Sequence, residues 1–173
     1  MIYYTGIGSR ETSNEILNVF ENIGQYLAKS NLILRSGHAE GADQAFENGC
    51  DKVNGKKEIY LPWRNFEGSD SNLIVQEGKA YEIAEKFHPY WHNLKLGAKK
   101  LQARNSHQVL GKDLNTPSKF IICWTKNGKD VGGTAQALRI ARHYEIPIFN
   151  AGGYKDLFIF GSKLREFINK IGG

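Results

Sequence analysis

Only two cysteines, four prolines and one methionine occur in 173 residues. Cys50 and Cys123 lie far apart, with no CxxC or Cys/His ligand spacing around either. That excludes a disulfide scaffold and a zinc-ribbon type of site, and it suits a reducing compartment. No apolar run approaches the roughly 18 residues of a membrane span. The start, Met1-Ile2-Tyr3-Tyr4-Thr5, lacks the basic segment followed by a long apolar one that marks a secretory leader. The expectation is a cytoplasmic protein without a membrane partner. Charge of one sign is also scarce: 23 basic against 18 acidic residues give a net +5, a mild excess that does not by itself demand a nucleic acid. No repeat, low-complexity tract or Pro/Ser-rich linker divides the chain, so residues 1–173 read as one domain. With 40% hydrophobic and 24% charged residues, it can bury a core without a staple.

What is present is alternation. Short β-rich runs at Ile2–Thr5, Asn31–Arg35, Glu58–Leu61, Lys119–Trp124 and Pro147–Phe149 are separated by helical patterns. Ile16, Val19, Phe20, Ile23 and Leu27 recur at helical spacing and predict a helix over Ser13–Ala28, capped by Thr12 or Ser13. Further helices are expected over Ala42–Val53, Asn72–Phe87, Leu94–Leu110, Thr134–Tyr144 and Ser162–Ile171, with Pro62–Asp70 as a loop. Gly78 weakens the third of these helices, and His88-Pro89 ends it. Cys123, inside Phe120-Ile-Ile-Cys-Trp124, reads as a buried thiol. Strands alternating with helices predict an α/β fold, a Rossmann-like, doubly wound, mainly parallel sheet flanked by helices.

Ligands of such sheets bind beyond the carboxyl ends of the strands, and three unusual segments fall there. Thr5-Gly-Ile-Gly-Ser-Arg10 follows the first strand. Its glycines Gly6 and Gly8 allow amides to face an anion, with the Ser9 hydroxyl and the Arg10 guanidinium beside them; the plainer alternative is an ordinary strand-to-helix turn. Ser36-Gly37-His38-Ala39-Glu40-Gly41-Ala42-Asp43 follows the second strand and opens a helix whose dipole favours an anion. His38, Glu40 and Asp43 are the acid/base candidates, although Asp43 is equally read as a group that satisfies backbone donors. Gly132-Gly133-Thr134 opens the helix after the buried strand, a phosphate-type turn unless Thr134 is a simple cap. Trp63 follows the third strand as a stacking candidate with Arg64 beside it for phosphate. His88 and His92 are four apart, but Pro89 intervenes and no third ligand has matching spacing, so no metal is expected. Lys95, Lys99, Lys100, Arg104 and Lys112 cluster about one helix, read as a solvated face or a phosphate-binding strip.

These phrases, with Ala103-Arg104-Asn105, together resemble the SLOG superfamily over nearly the whole chain. The nearest resemblance is to small DNA-processing-protein-A-like Rossmann proteins of phages and bacteria, with a more distant one to the Lonely Guy proteins. The resemblance implies a nucleotide-type ligand, a role for Arg104 and Asn105 at its site, and homo-oligomers. Two departures limit it. Ala137 stands where the Lonely Guy hydrolases carry a catalytic Glu, and His38 stands where DNA-processing protein A has a second Gly. The expected function is therefore to bind a nucleotide or nucleotide-derived phosphate ligand as a sensor or sequestering module. Nucleotide-processing chemistry and single-stranded DNA binding are the alternatives. No particular cofactor is identified by these residues.

Overall fold

A computed structural model describes residues 1–172. In chain order the elements are β1 (Ile2–Gly8), α1 (Asn14–Lys29), β2 (Leu32–Ser36), α2 (Ala42–Asp51), β3 (Lys57–Leu61), β4 (Leu73–Ile74), α3 (Lys79–Phe87), α4 (Leu96–Leu110), β5 (Ile121–Trp124), α5 (Thr134–His143), β6 (Ile148–Asn150) and α6 (Leu157–Gly172). One six-stranded sheet has the order β4-β3-β2-β1-β5-β6, and every pairing is parallel. The order runs outward in both directions from β1 and β5. Their carboxyl ends therefore form the switch point where open α/β sheets leave a crevice.

The period-2 alternation of strands assigns side chains to two cores. Tyr4, Phe120 and Ile122 pack with Phe20 and Leu27 of α1, Phe46 and Cys50 of α2, and Phe160 and Leu164 of α6. Ile7, Ile121 and Cys123 face Ala84 of α3, Val109 and Leu110 of α4, and Leu138 and Ile140 of α5. Both faces are thus covered, as a parallel sheet requires. Cys123 is fully buried and free, and burial pushes its thiol up to about 12. Arg35 of β2 is 2% exposed. Its Nε meets Glu58 at 3.0 Å, Nη1 donates to the Thr116 carbonyl, and its guanidinium lies 3.9 Å from the centre of the Tyr3 ring.

Two elements differ from the sequence reading. The expected helix over Asn72–Phe87 is a short strand followed by a helix beginning at Lys79. Ser71 Oγ donates to the Ile59 carbonyl at 2.5 Å and accepts from the Leu73 amide, which draws the segment onto the edge of β3. Gly78 has φ +107°, a conformation that interrupts a helix. The last helix begins at Leu157 and not at Ser162, because Asp156 Oδ1 accepts from the Phe158 amide at 2.8 Å and stabilises an earlier start. β1 also runs on through Gly6 and Gly8, which pair with Ile122 and Trp124. The first glycine phrase is therefore strand up to Gly8.

The Tyr4 hydroxyl is buried, and among the described residues it has no hydrogen-bond partner. Burial raises its pKa well above the ordinary value. An unpaired buried hydroxyl costs free energy that an apolar ring does not. Tyr4→Phe is therefore expected to stabilise the fold by about 1 kcal/mol, read as a higher urea midpoint at unchanged slope; a lower midpoint refutes it.

Candidate functional site

A cavity of about 480 Å³ opens at the β1/β5 switch point, a volume typical of small-molecule sites. The exits of β1, β5 and, through Ala39 and Asp43, β2 build it with the opening of α5 and one helix wall. Gly8, Ser9 and Arg10 leave β1, Thr125 and Lys126 leave β5, and Gly132, Gly133 and Thr134 open α5, while α4 contributes Gln102, Arg104, Asn105 and Gln108. Asn150 of β6 fixes the β5 exit. Its Oδ1 accepts from the Thr125 amide at 3.1 Å and its Nδ2 donates to Thr125 Oγ1 at 2.6 Å.

At α5 the helix cap is Gly133, and no side chain caps the turn. Thr134 is thus the first helical residue and not the cap. Among the described residues the amides of Gly133 and Thr134 make no hydrogen bond. They are free donors at the positive end of a ten-residue helix. Gly132 has φ +70°, a conformation favouring glycine, whereas Gly133 is helical at φ −62°. The β1 exit is different. The Gly8 amide donates to Asp43 Oδ1 at 3.2 Å and the Ser9 amide to the Trp124 carbonyl at 3.1 Å. Ser9 Oγ accepts from the Glu11 amide at 3.0 Å. This loop offers the cavity the Arg10 side chain more than its backbone.

Arg104 and Asn105 hold the exits together. Arg104 is 5% exposed. Its Nη1 donates to the carbonyls of Gly37 at 2.7 Å and Tyr60 at 3.3 Å, and its Nε to Asn105 Oδ1 at 3.2 Å. Asn105 Nδ2 donates to the Gly133 carbonyl at 3.0 Å. The Gln108 amide is satisfied in the orientation that donates to Asn105 Oδ1 at 3.1 Å and accepts from the Gly37 amide at 3.2 Å. The Arg-Asn phrase therefore clamps the ends of β2 and β3 to the turn of α5, while both residues also line the cavity.

Asp43, 3% exposed, accepts from the amides of Gly8 and Ala39 and joins the first two loops. Burial pushes its carboxyl up to about 6; the Arg104 charge and the backbone amides oppose this. Between about pH 4 and 6 the folded chain holds a proton that the unfolded chain has released. Asp43 therefore lowers stability as pH rises through that window, by on the order of 3 kcal/mol at about 1.4 kcal/mol per pH unit. Asp43→Asn is expected to remove this slope. Urea unfolding of both proteins at pH 4 to 7 checks it, since all other carboxylates contribute to both curves; parallel curves refute it.

The remaining candidates fall into two groups. Gly6, Ser36, Gly37 and Gly41 stand behind the cavity wall. A Cβ on Gly6 would meet the Phe46 ring at 2.6 Å, one on Gly37 the Gln108 amide at 2.1 Å, and one on Gly41 the Ser9 carbonyl at 3.0 Å. Ser36 Oγ donates to the Gly6 carbonyl at 2.6 Å. These four allow close approach between the loops. His38, Glu40, Trp63 and Arg64 do not line the cavity. His38 has φ +61°, and its Nδ1 lies 2.7 Å from Glu47, which also holds Lys57 at 2.8 Å. Glu40 is exposed, 3.9 Å from Arg10. Trp63 packs edge-on against Phe66, and Arg64 is exposed. The expectation that His38 and Glu40 present themselves at the ligand edge is corrected by these placements. Beyond β3, Glu67 pairs with Arg10 and likewise does not line the cavity. Lys126, Gln102 and Gln108 were missed. Lys126 lies two residues past the end of β5, and the two glutamines lie three residues either side of Asn105, on its helix face.

The fold and the cavity define a Rossmann-like α/β protein with a crevice at its switch point that is lined by apolar surface and by charged side chains of both signs. No protein-family model matches the chain, and no curated protein matches it in sequence. Among solved structures it is similar to the Moco carrier protein of Chlamydomonas rheinhardtii, with a TM-score of 0.52 and 15% identity over 87% of this chain and 75% of that one. At that identity the likeness is one of fold. No helix among the described residues is long and apolar enough to cross a membrane.

Proposed function

We propose that this chain binds a nucleotide or nucleotide-like, phosphate-bearing small molecule in the switch-point cavity and holds it without turnover. The observation that carries this reading is the α5 turn. Gly133 and Thr134, with two unbonded amides at a helix N-terminus, line a cavity of about 480 Å³ together with Arg10, Lys126 and Arg104. The sequence phrases that resemble the SLOG superfamily support the same ligand class, and a structural neighbour named as a carrier supports holding over turnover. Cytoplasmic residence and self-association belong to this proposal; sedimentation at two protein concentrations tests the latter.

A thermal-shift screen of nucleotides and dinucleotides, with analysis of the recovered ligand, is the direct experiment. Ligand a hundredfold above its Kd contributes about 2.7 kcal/mol, a rise of roughly 5–10 °C for a chain of this size. Absence of a shift with every nucleotide refutes the reading. One observation favours a second reading as a nucleotide-processing enzyme: Asp43 lines the cavity with its carboxyl pushed up to about 6, near the working range of a general acid or base. Ligand recovered intact supports binding alone, and a cleaved base or phosphate establishes the enzyme.

A further inference from the structure

We infer that Glu67 is a built-in competitor for the ligand's anion: from beyond β3 it holds the guanidinium of Arg10, and a phosphate entering the cavity must take that guanidinium from it. The inference rests on the phosphate reading of the cavity and adds a residue that sets how tightly the cavity retains an anion.

Arg10 lines the cavity, and its side chain is 53% exposed. Both of its terminal nitrogens are nonetheless turned to carboxylates that lie outside the lining. Nη2 pairs with Glu67 Oε1, and Nη1 lies 3.9 Å from Glu40 Oε2. One guanidinium thus faces two carboxylates, so this corner offers an incoming anion no net positive charge. The planar fork that suits arginine to phosphate is engaged inside the protein.

The backbone places Glu67 for this contact. Its φ is +48°, with Asn65 at +59° and Gly68 at +84° on either side of it. Glutamate rarely takes that conformation, and it persists only where the surroundings hold it. Phe66 anchors the turn in the core. Glu67 Oε2 accepts from the Glu40 amide at 2.7 Å and from Gln44 Nε2 at 3.5 Å, which leaves Oε1 for Arg10. Arg104 feels the same charges. Burial lowers its pKa, Asp43 and Glu67 oppose this, and Arg10 adds to it. Two arginines of the cavity wall therefore lie within Coulomb range of each other, and Glu67 is in range of both. A phosphate dianion in the cavity offers these cations the same relief with two charges where Glu67 has one. The Arg10–Glu67 pair is partly exposed, so it is weak enough to yield.

The test titrates pyrophosphate into the full chain by calorimetry. Glu67→Gln keeps an acceptor for the Glu40 amide and removes the charge. It is expected to bind pyrophosphate roughly two- to fivefold more tightly than wild type, the worth of a partly exposed ion pair, with little change in melting temperature. Glu67→Asp keeps the charge, draws it back by one methylene and suits the positive φ better. It is expected to tighten binding as well, and it serves where Gln disturbs the turn. Arg10→Ala is expected to weaken binding, and adding Glu67→Gln to it to change affinity by no more than about twofold, as for independent sites. A full gain that persists in the Arg10→Ala background is plain repulsion between Glu67 and the anion, and it overturns the inference. Unchanged or weaker binding by both Glu67 variants, where wild type binds, overturns it too and leaves the phosphate site standing. Pyrophosphate that binds neither wild type nor any variant removes both readings.

Discussion

Arg104→Ala is expected to lower the stability of the chain by about 3–5 kcal/mol and to abolish ligand binding even where the protein still folds. The guanidinium is 5% exposed and joins three parts of the molecule at once. Nη1 satisfies the carbonyls of Gly37, just past β2, and Tyr60, in β3; the group also lies 5.5 Å from the centre of the Phe66 ring. Truncation leaves both carbonyls without their donor, and each unsatisfied buried group costs about 1–3 kcal/mol. It also removes the positive charge that partly offsets the burial of Asp43. The Asp43 carboxyl is then expected to titrate higher still, so that binding and stability respond to pH closer to neutrality. Arg104→Lys does not rescue, because one ammonium cannot reproduce the planar fork that reaches Gly37, Tyr60 and Asn105 together. Urea unfolding and the nucleotide thermal-shift assay measure the two effects. A loss below 1 kcal/mol with binding retained would show that the clamp contributes little.

That residue also shows how far the sequence could be read. The Arg-Asn phrase was singled out, and both residues do line the cavity. Their reading as ligand contacts rests on the family resemblance and on the chemistry of a cation and an amide. What the sequence does not encode locally is that two backbone carbonyls and the Gly133 turn come within reach of them across sequence separations of 28 to 67. The fold class was legible because its signals are local. Apolar runs such as Phe120–Trp124 and the helical stripe from Ile16 to Leu27 each determine an element without help from the rest. The convergence of the glycine phrases followed from the parallel sheet, since every strand exit then lies on one edge.

The failures share one cause, a dihedral or pairing set by tertiary context. β4 is two residues long and has no period to detect, and pairing with β3 overrides the helical pattern of its neighbourhood. His38 was placed by its loop, but its positive φ accompanies a ring held at Glu47. The buried Glu47 carboxylate needs partners, which His38 and Lys57 supply. Trp63 follows a strand exit and looked free to stack on a ligand, but Phe66 lies close enough in sequence to pack against it. The glycine phrases are read from the sequence as donors of amides, and at the α5 turn the amides of Gly133 and Thr134 are unbonded among the described residues. At the β1 exit Asp43 and the Trp124 carbonyl take them first.

Gly133→Val is expected to weaken nucleotide binding by at least a hundredfold, about 2.7 kcal/mol, with the fold nearly intact. Gly133 has helical dihedrals, so valine meets no forbidden backbone conformation there, and a Cβ at this position finds no protein atom within 4 Å. The new side chain therefore occupies space beside the residues that line the cavity, where an anion would approach the free amides of α5. β-Branching at a helix start costs only a few tenths of a kcal/mol, so melting temperature and circular dichroism should change little. Gly132 is the contrasting position: its φ of +70° means that Gly132→Val strains the backbone whatever the ligand does, and it is not a usable probe. Thr134→Ala is the graded companion. It removes one hydroxyl and keeps both amides, and a hydrogen bond to a charged group is worth about 1.5–3 kcal/mol, so binding is expected to weaken roughly ten- to hundredfold. The ordering is the decisive reading, with valine worse than the threonine deletion and both variants folded. If both bind the screened nucleotide as wild type does, the α5 turn is only a helix start, and the anion must be sought at Arg10 and Lys126. If Gly133→Val unfolds the chain, then the turn is part of the fold's packing, and the open space beside it does not describe the molecule in solution.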